Sequence, residues 1–211
     1  MSTHLDIVAH YEACLAAHGD THRGVDWPNP KDAATRYDVM LGVIREAPRK
    51  VSLLDFGCGA SHLLEHLQRS GETDIAYAGL DLSSKFIQLS QSKHPRVPYY
   101  CLDILEEPAT LPIFDYIVLN GVFTEKRSLS HEDMLAYFQR MLRALFAKAR
   151  CGIAFNVMSK HVDWEREDLF HLSLDVLAAF LKRELSRHYV IRNDYGLYEY
   201  AVYVYQQPAG R

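Results

Sequence analysis

Val51-Ser52-Leu53-Leu54-Asp55-Phe56-Gly57-Cys58-Gly59-Ala60-Ser61-His62-Leu63-Leu64-Glu65-His66-Leu67 decides how the rest of the chain is read. An apolar run of strand length passes into a glycine turn, and the turn opens an amphipathic helix. Gly57 and Gly59 let the backbone turn tightly and come close to a ligand, and the free N–H groups at the helix start point at whatever sits there. This is the layout of a nucleotide-cofactor loop. A dinucleotide fingerprint would need a third glycine at position 62, where the chain has His62, and would hold a pyrophosphate. Asp55, two residues before the first glycine, is poorly placed for a dianion and well placed for a cationic ligand.

Working outward, residues 75–83 read as a second buried strand closed by a carboxylate, Asp81, 22 residues beyond Gly59. In a doubly wound sheet the second strand ends beside the first, so Asp81 can accept both hydroxyls of a ribose. Its alternative role is to cap the helix that follows, which Ser83 can do by itself. A third strand near 98–102 ends at Asp103-Ile104. The fourth, 114–119, breaks at Asn120-Gly121, and its end must lie at the topological switch beside the first strand, where ligands bind in such sheets. The fifth, 151–158, carries Asn156 near its end.

Leu54-Asp55-Phe56-Gly57-Cys58-Gly59 resembles the first motif of the class I S-adenosylmethionine-dependent methyltransferases, with Ser61 at the third small position. Tyr77-Ala78-Gly79-Leu80-Asp81-Leu82-Ser83 is similar to their second motif. The resemblance runs from about Arg36 to Tyr205 and includes Asn120–Phe123, Ala154-Phe155-Asn156 and Asp194–Glu199. It points to a poorly characterised bacterial branch often associated with surface-glycan pathways. It implies S-adenosylmethionine as cofactor, whose sulfonium and ammonium suit Asp55. It also implies that Asp103 meets the adenine amino group, a donor facing an acceptor-only side chain, while Leu82 and Ile104 sandwich the ring. The phrase Arg36-Tyr37-Asp38-Val39-Met40-Leu41 resembles a helix ahead of the core in which the arginine reaches the cofactor's methionine carboxylate; a solvent-facing arginine is the alternative. Asn120 completes the expected cofactor set.

The composition fits an ordinary globular protein: 211 residues, 48% hydrophobic and 24% charged, with a net charge of −4 that argues against a strong nucleic-acid surface. Cys14, Cys58, Cys101 and Cys151 are scattered without zinc spacing and read as thiols of a reduced compartment. The Met-Ser-Thr-His start lacks a basic and then apolar leader, and no apolar run approaches the ~20 residues that span a bilayer. The expectation is a cytoplasmic protein with a small-molecule acceptor, no nucleic-acid partner and no membrane association.

The predicted fold is α/β, one Rossmann-like doubly wound sheet of seven strands, mostly parallel, with one antiparallel strand in a C-terminal hairpin. Residues 1–211 form one domain. Residues 1–47 supply N-terminal helices, over 4–18 and from Pro30 to about Glu46, with a breaker-rich lid loop between them; 48–158 form the cofactor-binding core. In the loop, His22 and Trp27 either pack locally or touch ligand. Ser130-His131-Glu132-Asp133 reads as a capping box ahead of a long amphipathic helix. Residues 159–211 form an acceptor loop and the hairpin 186–205. The loop 159–173 lies at the edge where substrate is usually recognised, and holds His161, Trp164, Asp168 and His171; a solvated connection is the alternative.

No Asn-Pro-Pro-Tyr follows the fourth strand and no aspartate pair suggests a catechol-type magnesium site, so metal-independent transfer to a small polar acceptor is expected. An oxygen acceptor would need a base, for which His171 and His131 are the candidates. Asn156 and Tyr198 are the expected acceptor contacts; Tyr198 and Glu199 open a strand whose alternation lets only one of them point inward. A catalytically silent cofactor-binding subunit is the competing reading; a small acceptor pocket with a titratable group would favour the enzyme.

Overall fold

Alternation along the strands builds the molecule's two layers. In β1 (Val51–Phe56) the residues Val51 and Leu53 face one side and Leu54 and Phe56 the other. The same split separates Tyr116 and Val118 from Ile117 and Leu119 in β4 (Phe114–Phe123), and Ala154 from Ile153 and Phe155 in β5 (Ala149–Ser159). Strands apolar on both faces must be covered on both faces. The first face carries α2 (Pro30–Leu41) and α3 (His62–Ser70); the second carries α5 (His131–Phe146) and α6 (Leu174–Phe180). The computed structural model describes residues 4–45 and 50–209.

The remaining elements are α1 (His4–His18), β2 (Ile75–Leu80), α4 (Ser84–Lys93), β3 (Tyr99–Tyr100), β6 (His171–Leu172), β7 (Tyr189–Arg192) and β8 (Glu199–Tyr205). The sheet runs β3-β2-β1-β4-β5-β8-β7, with the two-residue β6 added beside β5. β8 runs antiparallel to both its neighbours, pairing with β7 and with β5, where Gly152 faces Tyr205 and Met158 faces Glu199. The order therefore reverses between β1 and β4, and a crevice opens at the carboxyl ends of those strands.

The second face is packed around Phe138, whose ring lies 5.5 Å from Phe155, 4.8 Å from Phe123 and 5.8 Å from Phe170 in edge or tilted contacts. Ser130 caps α5, its Oγ accepting the Asp133 N–H at 3.0 Å, while its hydroxyl donates to the Asp133 carboxylate at 2.7 Å, so the reciprocal half of the expected box is replaced by a side-chain bond. Ser83 caps α4 through the Phe86 N–H, which leaves Asp81 free for another role.

Three boundaries differ from the sequence reading. The fourth strand does not stop at Asn120-Gly121; it runs to Phe123 through an irregularity after Leu119, with Gly121 at φ +80° absorbing the bend. Helix α2 ends at Leu41, and the expected end at about Glu46 lies outside the described residues. A π-helical turn, Leu181–Leu185, continues α6.

Candidate active site

The glycine loop is held by hydrogen bonds that its own spacing makes possible. The N–H groups of Gly57 and Cys58 both donate to the Leu80 carbonyl, at 2.8 and 2.9 Å, tying the loop to the end of β2. Gly57 has φ +73°, and a Cβ there would stand 2.7 Å from Val122 Cγ2, so the position needs glycine for both space and conformation. Ser61 takes the third left-handed position at φ +61°, and its hydroxyl hydrogen-bonds Tyr99 at 2.8 Å instead of capping α3.

This loop floors a cavity of about 140 Å³ lined by Asp55, Gly57, Gly59, Asp81, Leu82 and Asn120. Asp81 couples the two motifs directly: Oδ2 accepts the Gly59 N–H and Oδ1 the Ser83 N–H, each at 2.9 Å. Burial pushes its carboxyl up to about 6, opposed by those two donors. Asp55 is deeper, and burial pushes it up to about 7 although the Tyr77 hydroxyl donates to it at 2.8 Å. Asn120 Oδ1 is buried and has no hydrogen-bond partner among the described residues. An orphaned acceptor, two raised carboxyls and a glycine cradle form a site shaped for a ligand with donors and positive charge.

The walls and roof come from residues outside the two motifs. Tyr11, Val25, Trp27, Tyr37, Val122 and Tyr137 all line the cavity. Tyr37 is at the same time a buried core position of α2. Trp27 sits on the loop between α1 and α2, where the sequence left packing and ligand contact open; it packs against Gly121 and Arg36 and lines the cavity. The available signal was a bulky aromatic inside a Gly- and Pro-rich segment that otherwise has no core to fill.

Several expected site residues lie elsewhere. Asp103 and Ile104 do not line the cavity: the chain turns directly after the short β3, Ile104 sinks into the core, and Asp103 Oδ1 accepts the Leu105 N–H at 2.8 Å. Arg36 does not point to solvent; it turns inward onto the buried Glu199 in a bidentate pair, Nε to both carboxylate oxygens at 3.0 Å and Nη2 at 2.9 Å. Between the two residues opening the last strand, the inward one is Glu199, at 2% exposure, and the choice of Tyr198 is corrected. Tyr198 lies in the turn ahead of β8, outside the strand, and is 66% exposed, whereas β8 begins at Glu199 and is buried along its whole length. Asn156 is buried behind the cavity, where Oδ1 accepts the Gly121 N–H at 2.7 Å and Nδ2 donates to Glu199 at 2.9 Å.

The two histidines also need correction. β6 pairs with β5 and draws His171 into the sheet edge, where Nδ1 donates to the Ser159 carbonyl at 2.6 Å and Nε2 accepts the Arg166 N–H at 3.2 Å. His131 Nε2 donates to the His171 carbonyl at 3.0 Å, and its ring packs on Phe170. Both are structural fastenings of the 159–173 segment, and neither lines the cavity. His171 and Tyr198 instead border a second hollow of about 180 Å³, lined also by Trp164.

Comparison with known proteins agrees with this geometry. Residues 53–147 match the family model described as a methyltransferase domain. A curated relative from Mycobacterium tuberculosis, named as a presumed methyltransferase, is 28% identical over 159 residues, covering 72% of this chain and 92% of its own. The fold is similar to magnesium protoporphyrin IX methyltransferase from Synechocystis, solved with bound S-adenosylmethionine (TM-score 0.65, 13% identity, 98% of this chain and 99% of that one). It is also similar to an S-adenosylmethionine-dependent methyltransferase from Aquifex aeolicus (TM-score 0.56, 18% identity, 84% and 93%). Those solved structures bear on the fold; the family match and the residues of the glycine loop and Asp81 bear on the chemistry. Over residues 53–147 the chain is thus similar to the methyltransferase domain, and its fold is that of the class I S-adenosylmethionine-dependent methyltransferases.

Proposed function

We propose that this enzyme transfers the sulfonium methyl group, without a metal, to an oxygen or nitrogen of a small metabolite that enters at the Asn120–Gly121 end of the cavity. The observation that carries it is the convergence of Asp55, Gly57, Gly59, Asp81 and Asn120 on one cavity at the switch point of the sheet. The cofactor supplies an activated methyl; the protein's task is to align, to desolvate and to exclude water. In this reading Asp81 accepts the ribose hydroxyls with the lone pairs left by Gly59 and Ser83, Leu82 packs on the nucleoside, and Asp55 faces the cationic end. Asn120 Oδ1 takes a donor from the cofactor's amino-acid portion. Arg36 meets the methionine carboxylate only by sharing or leaving Glu199, and Asp103 meets the adenine amine only if its turn shifts.

With both ring nitrogens of His171 engaged, alignment and desolvation carry the transfer, which suits an acceptor that arrives with a lone pair available. Trp27 and Tyr37 offer flat faces on which a ring can stack, consistent with the sugar acceptor that the resemblance implies and equally with an aromatic one. His10, Cys14 and Asp26 gather closely enough to hold a cation, yet the Arg127 guanidinium already stands among them. Among the described residues no helix is long and apolar enough to cross a membrane.

Calorimetry with S-adenosylmethionine, its demethylated product and NADH tests the cofactor assignment, and heat from NADH alone would overturn it. Transfer of a labelled methyl to panels of sugars, phenols and amines then tests the acceptor class.

A further inference from the structure

A closed ring of contacts surrounds the Asn120–Gly121 end of the cavity. The Trp27 indole lies under the Arg36 guanidinium, 4.3 Å from the ring centroid. Its edge presses on Gly121, where a Cβ would stand 2.8 Å from indole Cζ2. The Gly121 N–H donates to Asn156, Asn156 donates to Glu199, and Glu199 holds Arg36 in a two-pronged pair. The circuit thus returns to Trp27 after passing through α2, β8, β5 and β4.

Two features make this more than core packing. A carboxylate buried to 2% exposure is retained only with full pairing, and Glu199 has it from Arg36 and Asn156, with the Tyr195 hydroxyl at 3.5 Å. The planar fork of the guanidinium, gripped by two carboxylate oxygens, has one orientation, and that orientation lays it over the indole. The same loop is tied at its other end by Asp20, which accepts from His62 Nε2 at 2.9 Å and pairs with Lys93 at 2.8 Å. The residues of the loop that line the cavity therefore hang between two charged fastenings.

We propose that Glu199 is a positioning residue of the methyl-transfer site: through Arg36 it holds the Trp27 indole as a fixed wall of the cavity, so the C-terminal strand sets the geometry of the loop over the ligand. This rests on the methyltransferase reading for the ligand, but the positioning itself can be read without one. Trp27 and Trp164 are the chain's two tryptophans, so Trp164→Phe leaves Trp27 as the sole indole reporter.

In that background, acrylamide quenching of Trp27 is measured with and without S-adenosylhomocysteine, at a temperature well below unfolding. Glu199→Gln and Arg36→Lys should each raise the quenching constant by on the order of two-fold or more and abolish the shielding that the ligand gives in the parent. Tyr200→Phe, which removes the hydroxyl bond to the Leu172 carbonyl from the opposite face of the same strand, should lower the melting temperature without moving Trp27. If Glu199→Gln does not fold, Arg36→Lys carries the test, because lysine still neutralises the carboxylate. Unchanged Trp27 accessibility in the folded variants overturns the proposal. Absence of S-adenosylhomocysteine binding to the parent would instead overturn the cofactor reading, leaving the packing result to stand or fall separately.

Discussion

Cofactor binding should be strongly pH-dependent, in a direction that the burial of two carboxyls dictates. In the ligand-free protein Asp55 titrates at about 7 and Asp81 at about 6. A cationic cofactor with donor hydroxyls favours both as carboxylates, so binding releases protons below these values. At about pH 5.5 the ionised fractions are about 3% and about 24%, against about 76% and about 97% at about pH 7.5, so the apparent Kd weakens about 100-fold on acidification. The charge on Asp81 also raises Asp55, so the two steps belong to the pair. The sign is opposite for the fold itself. Both folded values exceed the ordinary 3.8, so the empty protein loses stability as pH rises from about 4 to about 7, and cofactor offsets that loss. Asp55→Asn, which keeps an acceptor for Tyr77, should shrink the pH effect to about four-fold, the share of Asp81 alone. Calorimetric titration of S-adenosylmethionine and S-adenosylhomocysteine, repeated in two buffers of different ionisation enthalpy, measures affinity and proton release together. Flat affinity over this range, with no buffer dependence, would refute the assignment of these two carboxylates to the cofactor.

Asp81→Ala should weaken cofactor binding by about 1.5–3 kcal/mol, the scale of hydrogen bonds to a charged group, and unchanged calorimetric affinity would contradict the ribose role. Gly57→Ala should cost about 1–2 kcal/mol of stability from its left-handed φ alone, and a further loss of cofactor heat as the methyl meets Val122; denaturant titration and calorimetry separate the two. His171→Ala should leave cofactor affinity unchanged and lower stability by about 1–3 kcal/mol, since the Ser159 carbonyl and Arg166 N–H lose a buried partner; a turnover loss near 100-fold on an identified acceptor would restore it as a base. Phe138→Ala should cost about 3–5 kcal/mol in chemical denaturation, because four other aromatic rings pack against it.

The fold and the floor of the site were legible in the sequence because they depend on local patterns. Apolar runs of strand length, Gly57 and Gly59 in the turn, and Asp81 at a strand end are each read within one or two elements, and β–α alternation then leaves few ways to order the sheet. The walls were decided by tertiary structure. Tyr11, Trp27 and Tyr37 come from segments before β1, and only the docking of α1 and α2 brings them over the glycine loop. The preference for Tyr198 over Glu199 could not be settled by alternation, since the strand begins only at Glu199 and is buried on both faces, leaving Tyr198 in the exposed turn. Arg36, 163 positions away, supplies the charge that makes a buried glutamate tolerable, and that pairing exists only in the folded chain. His171 shows the same limit from the other side: its place in the sequence suggests a reactive group near substrate, while two backbone partners brought in by β5 and the 159–173 segment turn it into a structural bond.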